Sequence, residues 1–318
     1  MTGQLGLFGE ASAADLARTH EETRALAASL PPNLYFGTSS WAFPGWQGIV
    51  YSRHESPSAL SRDGLLEYAR HPLLRTVEID RSYYAPVSIE DLRRYANQLP
   101  EGFRCLIKAP ASVTSAVFPA RSPEPQPNPQ FLSATALGDE LLSPLDQAFA
   151  EHCGPIVLQF PPQPQGFRLS ARVFADRLNQ FLSQLPTKFR FAVELRDPDL
   201  MSEGYHDVLR QHGAAHVYNF WSSMPMPAQQ ERIISLAHAS FTVLRLMLPP
   251  GASYDGRREN FGPFDHLHEP HLEMRYQVTE IARRSTREGR ETFVIVNNKA
   301  EGSSPLTIRA IAEMVVTV

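Results

Sequence analysis

Eight short apolar runs, each long enough for one buried strand and each followed by a stretch of helical spacing, constrain this chain most. The runs are Tyr35–Trp41, Arg75–Asp80, Phe103–Ala109, Pro155–Phe160, Phe189–Arg196, His216–Phe220, Phe241–Leu248 and Thr292–Asn297. They are near-continuous in Val, Ile, Leu and Phe, as expected when both faces of a sheet are covered. Apolar residues three and four apart predict helices over Leu65–Arg70, Ile89–Leu99, Leu141–His152, Ala171–Leu185, Tyr205–His212, Leu272–Glu288 and Leu306–Met314. Pro225–Ala239 carries the weakest helical pattern. Eight such pairs predict an α/β fold, a single (β/α)8 TIM-type barrel over residues 33–318. A doubly wound open sheet would show a glycine-rich phosphate turn after an early strand, and neither GxGxxG nor GxxxxGK[ST] occurs.

Outside the alternation stand two segments. Residues 1–32 form an N-terminal extension whose Ala-rich part, Ala11–Leu30, predicts a short helix stopped by Pro31 and Pro32. Pro110–Pro129, with five prolines in Phe118–Pro129, predicts an extended flap over the third strand. Composition narrows the rest. A length of 318 residues suits one barrel with an extension, and a net charge of −4 gives no global cationic field to gather nucleic acid. No apolar run approaches the roughly 18 residues that span a bilayer. Cys105 and Cys153 fall outside any CxxC pattern, and no secretory signal opens the chain, so a cytoplasmic protein is expected.

Ligand chemistry on a barrel sits at the C-terminal ends of its strands. There the apolar runs are interrupted by Glu78 and Asp80 on the second strand, Lys108 on the third and Gln159 on the fourth. Glu194 and Arg196 follow on the fifth, Arg245 on the seventh, and Asn297 and Asn298 on the eighth. An unpaired buried charge costs several kcal/mol, so these groups must pair with one another or face a wet cavity. Ion pairs that merely close the barrel top are the plain alternative. Aromatic residues crowd the same rim: Trp41, Tyr83, Tyr84, Phe160, Phe220 and Trp221. Rings beside cations suit a small anionic or cyclic ligand, although single rings more often plug a barrel mouth.

Should catalysis occur, the expected class is acid–base chemistry by a hydrolase or lyase without an obligatory metal or other cofactor. Glu78 and Glu194 are the proton-moving candidates and Lys108 the polarising amine. Ser39, Trp41, Asp80, Tyr83, Tyr84, Gln159, Arg196, Asn219, Arg245, Asn297 and Asn298 are the ligand-binding candidates. His266, His268 and His271 offer a weaker alternative, a metal-dependent hydrolase built on a loop.

Several segments resemble the YecE-like family, the domain of unknown function seventy-two. They are Gly37-Thr38-Ser39-Ser40-Trp41, Glu78-Ile79-Asp80-Arg81-Ser82-Tyr83-Tyr84, and Phe103 through Pro110. Leu158-Gln159-Phe160-Pro161-Pro162, Val193-Glu194-Leu195-Arg196 and Asn297 through Pro305 continue the likeness, which covers the chain from about Tyr35 to its end. The resemblance implies a TIM barrel and no particular activity. Two departures stand out: Arg245-Leu246-Met247-Leu248 where the family commonly reads Arg-Leu-His-Gly, and Asn219 where an aspartate is usual. Catalysis by that histidine and aspartate in relatives would imply altered or lost activity here.

Gln4-Leu5-Gly6-Leu7-Phe8 resembles the linear motif by which bacterial replication and repair proteins bind the sliding clamp. A mobile tail can insert the Leu7-Phe8 pair into an apolar groove while Gln4 hydrogen-bonds at its edge. A chance pentapeptide, or a terminal strand packed on the barrel, is the competing account.

Overall fold

The structure, a computed structural model, describes residues 13–118, 124 and 126–317, with side chains from residue 21 onward. The barrel strands are β1 (Leu34–Thr38), β2 (Leu74–Ile79), β3 (Cys105–Lys108), β4 (Cys153–Phe160), β5 (Phe191–Leu195), β6 (Ala215–Phe220), β7 (Phe241–Leu246) and β8 (Glu291–Val296). They close in chain order, β8 pairing with β1, and every pair is parallel. This is the TIM-type barrel that the alternation predicts. Among the described residues no helix is long and apolar enough to cross a membrane.

Side chains alternate between the two faces of a strand, so each strand sends every second residue inside. Leu106, Val157, Ala192, Val217, Val243 and Ile295 pack together as the inner core. The intervening residues, such as Ile107, Leu158, Leu195 and Leu244, join the larger core beneath the helices. One step further along the inward face, the apolar layers give way to a polar one: Lys108, Gln159, Glu194, Asn219, Arg245 and Asn297. Glu78 on β2 and Ser39 just past β1 complete it, one group from each of the eight strands. Pairing fixes its level, since Gln159 faces Glu194 and Asn219 faces Arg245 in register.

The inside of so small a barrel is tight where β1 meets β2. A Cβ on Gly37 would lie 2.1 Å from the Thr76 carbonyl oxygen, so only glycine fits. Serine residues start several of the outer helices: Ser170 and Ser202 accept hydrogen bonds from the Val173 and Tyr205 amides at 3.3 and 3.2 Å.

Three stretches depart from expectation. The third crossover helix begins at Ala134 rather than Leu141, and a π turn over Gly138–Leu142 interrupts it. The proline-rich segment is more than an extended flap. It opens with the short helix Ala111–Thr114, and Val117–Phe118 pairs antiparallel with Gln126–Pro127; residues 119–123 and 125 are not described. A further helix, Tyr254–Phe261, lies in the loop after β7, where a lone glycine and a cluster of charges hide any apolar period. At the other end of the chain, the helix Ala13–Ala28 falls within the predicted span, and Glu22 approaches Arg309 at 3.8 Å. Gln4, Leu5, Leu7 and Phe8 lie outside the described residues.

Candidate functional site

The polar layer floors a cavity of about 830 Å³ at the C-terminal ends of the strands. Ser39, Glu78, Asp80, Tyr83, Tyr84, Lys108, Gln159, Arg196, Arg245 and Asn297 all line it. Trp221, Tyr254, Met247 and the proline pair Pro161-Pro162 form apolar walls.

Arg245 organises the floor. From β7 it reaches across the barrel interior, placing Nη2 2.6 Å from Glu78 Oε2 on β2 and Nη1 against Glu194 Oε2 on β5. Glu194 is held from a second side by Arg196, whose Nε donates to Glu194 Oε1 at 2.7 Å. Arg196 Nη2 donates to Gln159 Oε1 at 3.0 Å, and the Arg196 guanidinium lies 3.5 Å from the centroid of the Trp221 ring. Asn219 supports the same carboxylate from below, its Nδ2 donating to the Leu195 carbonyl at 2.8 Å and to Glu194 Oε1 at 3.4 Å. Gln230 pins Asn219 through the Asn219 carbonyl at 2.6 Å. Lys108 stands apart from this network, with Nζ 2.9 Å from Asp80 Oδ1 and 3.9 Å from the Tyr83 ring centroid.

The two glutamates, alike in sequence, differ in charge behaviour. Burial alone would raise the Glu194 carboxyl, but Arg196 and Arg245 outweigh it and hold the group at about 2. Glu194 is a fixed anion without access to the cavity. Glu78 is as deeply buried but has Arg245 alone within hydrogen-bond reach. Burial prevails over that cation and Asp80 adds repulsion, so its carboxyl lies above the ordinary carboxylate range. Among the described residues its buried Oε1 has no hydrogen-bond partner, and neither has Arg245 Nε. An ionisable oxygen with spare capacity, in the floor of a cavity, is the arrangement proton transfer requires.

Four sequence candidates stand outside the cavity lining, two because of where their strands end or point and two because other side chains cover them. β1 ends at Thr38, so Trp41 has left the inward face; it is buried, donating from Nε1 to the Leu60 carbonyl at 2.9 Å. Asn298 has the outward phase, and its Oδ1 accepts from the Ser304 amide at 2.8 Å to start the last helix. Glu194 and Asn219 keep the inward phase but lie beneath the two arginines.

The histidine loop makes local structural contacts. His266 Nδ1 meets Asp265 at 2.6 Å, His268 stacks on Phe261 with centroids 4.6 Å apart, and His271 Nδ1 accepts from the Met274 amide at 3.1 Å. Gly302, at φ 124, lets the β8 loop press against the His266 carbonyl, 2.5 Å from where a Cβ would stand. Among the described residues no group of three or more His, Cys, Asp or Glu side chains could hold a metal ion.

Sequence reasoning missed groups that the crossovers deliver. Glu140, on the π turn, lines the cavity and accepts a 2.7 Å hydrogen bond from Ser112 Oγ, itself in the lining. π turns recur at functional sites. Met247 was within reach, because it repeats the inward phase of Arg245.

A closed eight-stranded parallel barrel with a polar cavity at its C-terminal mouth defines the molecule as a TIM-type barrel protein. The family model "Protein of unknown function DUF72" matches residues 35–317, and the chain belongs to that family. It is similar to a DUF72 family protein from Thermotoga maritima, at 20% identity and TM-score 0.61, over 89% of this chain and 99% of that one. A DUF72 family protein from Enterococcus faecalis is similar at 14% identity and TM-score 0.60, over 88% and 95% of the two chains. At these identities the likeness concerns the fold. Among curated proteins the chain finds no match.

Proposed function

We propose that this barrel is an enzyme that moves a proton on a small anionic ring compound, with Glu78 as its acid–base group. The observation that carries the reading is Glu78 in the floor of the cavity, its buried Oε1 without a partner among the described residues, on a carboxyl raised by burial. Lys108 supplies a positive charge beside it for polarising a ligand oxygen, and Arg196 with Trp221 offers a cation and a flat face for an anionic ring. Glu194 holds the two arginines in place and takes no proton at neutral pH. A hydrolase or lyase is the reaction class these parts suit. The test offers purified protein a pool of sugar phosphates, nucleotides and sugar acids and follows their conversion by NMR. Glu78→Gln is expected to lower turnover by about a hundred- to ten-thousand-fold while ligand binding persists. Wild-type turnover in that variant would remove Glu78 from the mechanism, and an unchanged pool would remove the enzyme reading.

A second reading, recruitment to the bacterial sliding clamp, rests on the pentapeptide Gln4–Phe8 at the chain terminus. It is compatible with the first, since a tail that docks elsewhere leaves the barrel mouth open.

A further inference from the structure

Three cations and three carboxylates meet at the cavity floor: Arg245, Arg196 and Lys108 against Glu194, Glu78 and Asp80. With every carboxylate ionised this cluster is neutral, so an entering anion finds no net attraction there. Glu194 is committed to both arginines and Asp80 to Lys108. Glu78 is only half committed. Its Oε2 accepts from Arg245 at 2.6 Å, while among the described residues its buried Oε1 has no hydrogen-bond partner. A proton on Glu78 changes two things at once. The cluster gains one positive charge, and because Oε2 is occupied by Arg245, the proton settles on Oε1 and turns an acceptor into a donor. Glu78 lines the cavity, so this adds a neutral donor to a floor that already carries the Arg245 and Arg196 cations.

We propose that the pocket takes up one proton on Glu78 for each oxyanion it binds, so that the ligand's carboxylate, phosphate or sulfate group is received by a neutral carboxylic acid. The proposal rests on the reading that the cavity takes anions. The charged groups facing Glu78 are Arg245 from β7, Lys108 from β3 and Asp80 from its own strand, with Glu194 of β5 reached through Arg245. Gln159 and Ser39, which share the floor, are neutral. Glu140 stands on the wall, engaged with Ser112.

The experiment titrates sulfate, whose own charge is constant between about pH 5 and 8, into the full chain by calorimetry in two buffers of different ionisation heat. Uptake of about one proton is expected, with affinity weakening by up to about tenfold per pH unit as pH rises above the Glu78 titration. Glu78→Gln should bind sulfate with neither dependence. Should that variant not fold, carbon-13 NMR of glutamate carboxyls in the wild type gives the same readout, one carboxyl moving to its acid position when sulfate is added. Sulfate bound without proton uptake, or with the same uptake in Glu78→Gln, overturns the proposal and leaves the enzyme reading intact. An absence of sulfate binding at every pH overturns it too, and the turnover test then decides separately whether the pocket is catalytic.

Discussion

Glu194 and Glu78 should respond unequally to loss of charge, and the structure sets the size of the difference. Glu194 is fully buried between Arg196 and Arg245, its carboxyl lowered from the ordinary 4.5 to about 2. A shift of that size corresponds to about 3 kcal/mol of folding free energy. Removing one partner of a buried ion pair costs a similar amount, about 3–5 kcal/mol. For a chain this long the unfolding entropy is roughly 0.7 kcal/mol/K, so Glu194→Gln should lower Tm by about 5 °C at neutral pH. The sign of the pH effect follows from the depressed carboxyl. Its contribution is complete above the ordinary 4.5 and is lost as pH falls through about 2, so the gap between variant and wild type should narrow towards pH 3. Glu78→Gln should behave differently. Its carboxyl is raised by burial, so ionisation opposes folding, and Arg245 keeps Glu194 as a partner; a change within about 1 kcal/mol is expected. Thermal unfolding followed by circular dichroism at pH 7 and pH 3 checks both. Equal losses for the two variants at pH 7, or a Glu194→Gln gap that widens in acid, would refute the assignment of one fixed and one titrating carboxylate.

Placing an aspartate at position 219 also has a defined outcome. Asn219→Asp removes the amide that donates to the Leu195 carbonyl at 2.8 Å and sets a second carboxylate beside Glu194. A loss of about 1–3 kcal/mol is expected at neutral pH, read by urea unfolding, with recovery as pH falls; an unchanged midpoint would show that the amide contributes nothing. For the tail, deletion of Met1–Gly9 should abolish capture by purified sliding clamp in a pull-down, and undiminished capture would end the clamp reading.

Much of this was legible in the chain because a parallel barrel imposes two periods at once. The alternation of apolar runs and helical stretches gave eight strands, and all eight overlap those runs, with ends that differ by up to three residues in either direction. The polar interruptions at strand ends followed from the cost of burying charge; Glu78, Asp80, Lys108, Gln159, Arg196, Arg245 and Asn297 line one cavity, while Glu194 and Asn298 do not. The method failed where the period of two stopped applying. Trp41 and Asn298 carry the right chemistry near the right end, but each sits where the strand has ended or its phase points outward. Glu140 and Tyr254 reach the cavity from crossovers, where no strand phase exists to mark them, and the π turn that presents Glu140 has no apolar signature.

The harder distinction lay between Val77-Glu78-Ile79 and Val193-Glu194-Leu195, two segments of nearly the same chemistry on strands of the same kind. What separates them is the company each finds across the interior. Glu194 has Arg196 two residues along its own inward face and receives Arg245 as well, so two cations hold its charge. Glu78 has Arg245 as its ion-pair partner and Lys108 as a weaker influence, and it is followed on its own face by Asp80, a like charge that raises it further. Arg245 joins strands that are not neighbours, and that contact exists only once the sheet has closed on itself. The assignment of one carboxylate as brace and the other as proton carrier is therefore a property of closure, and no window of the sequence contains it.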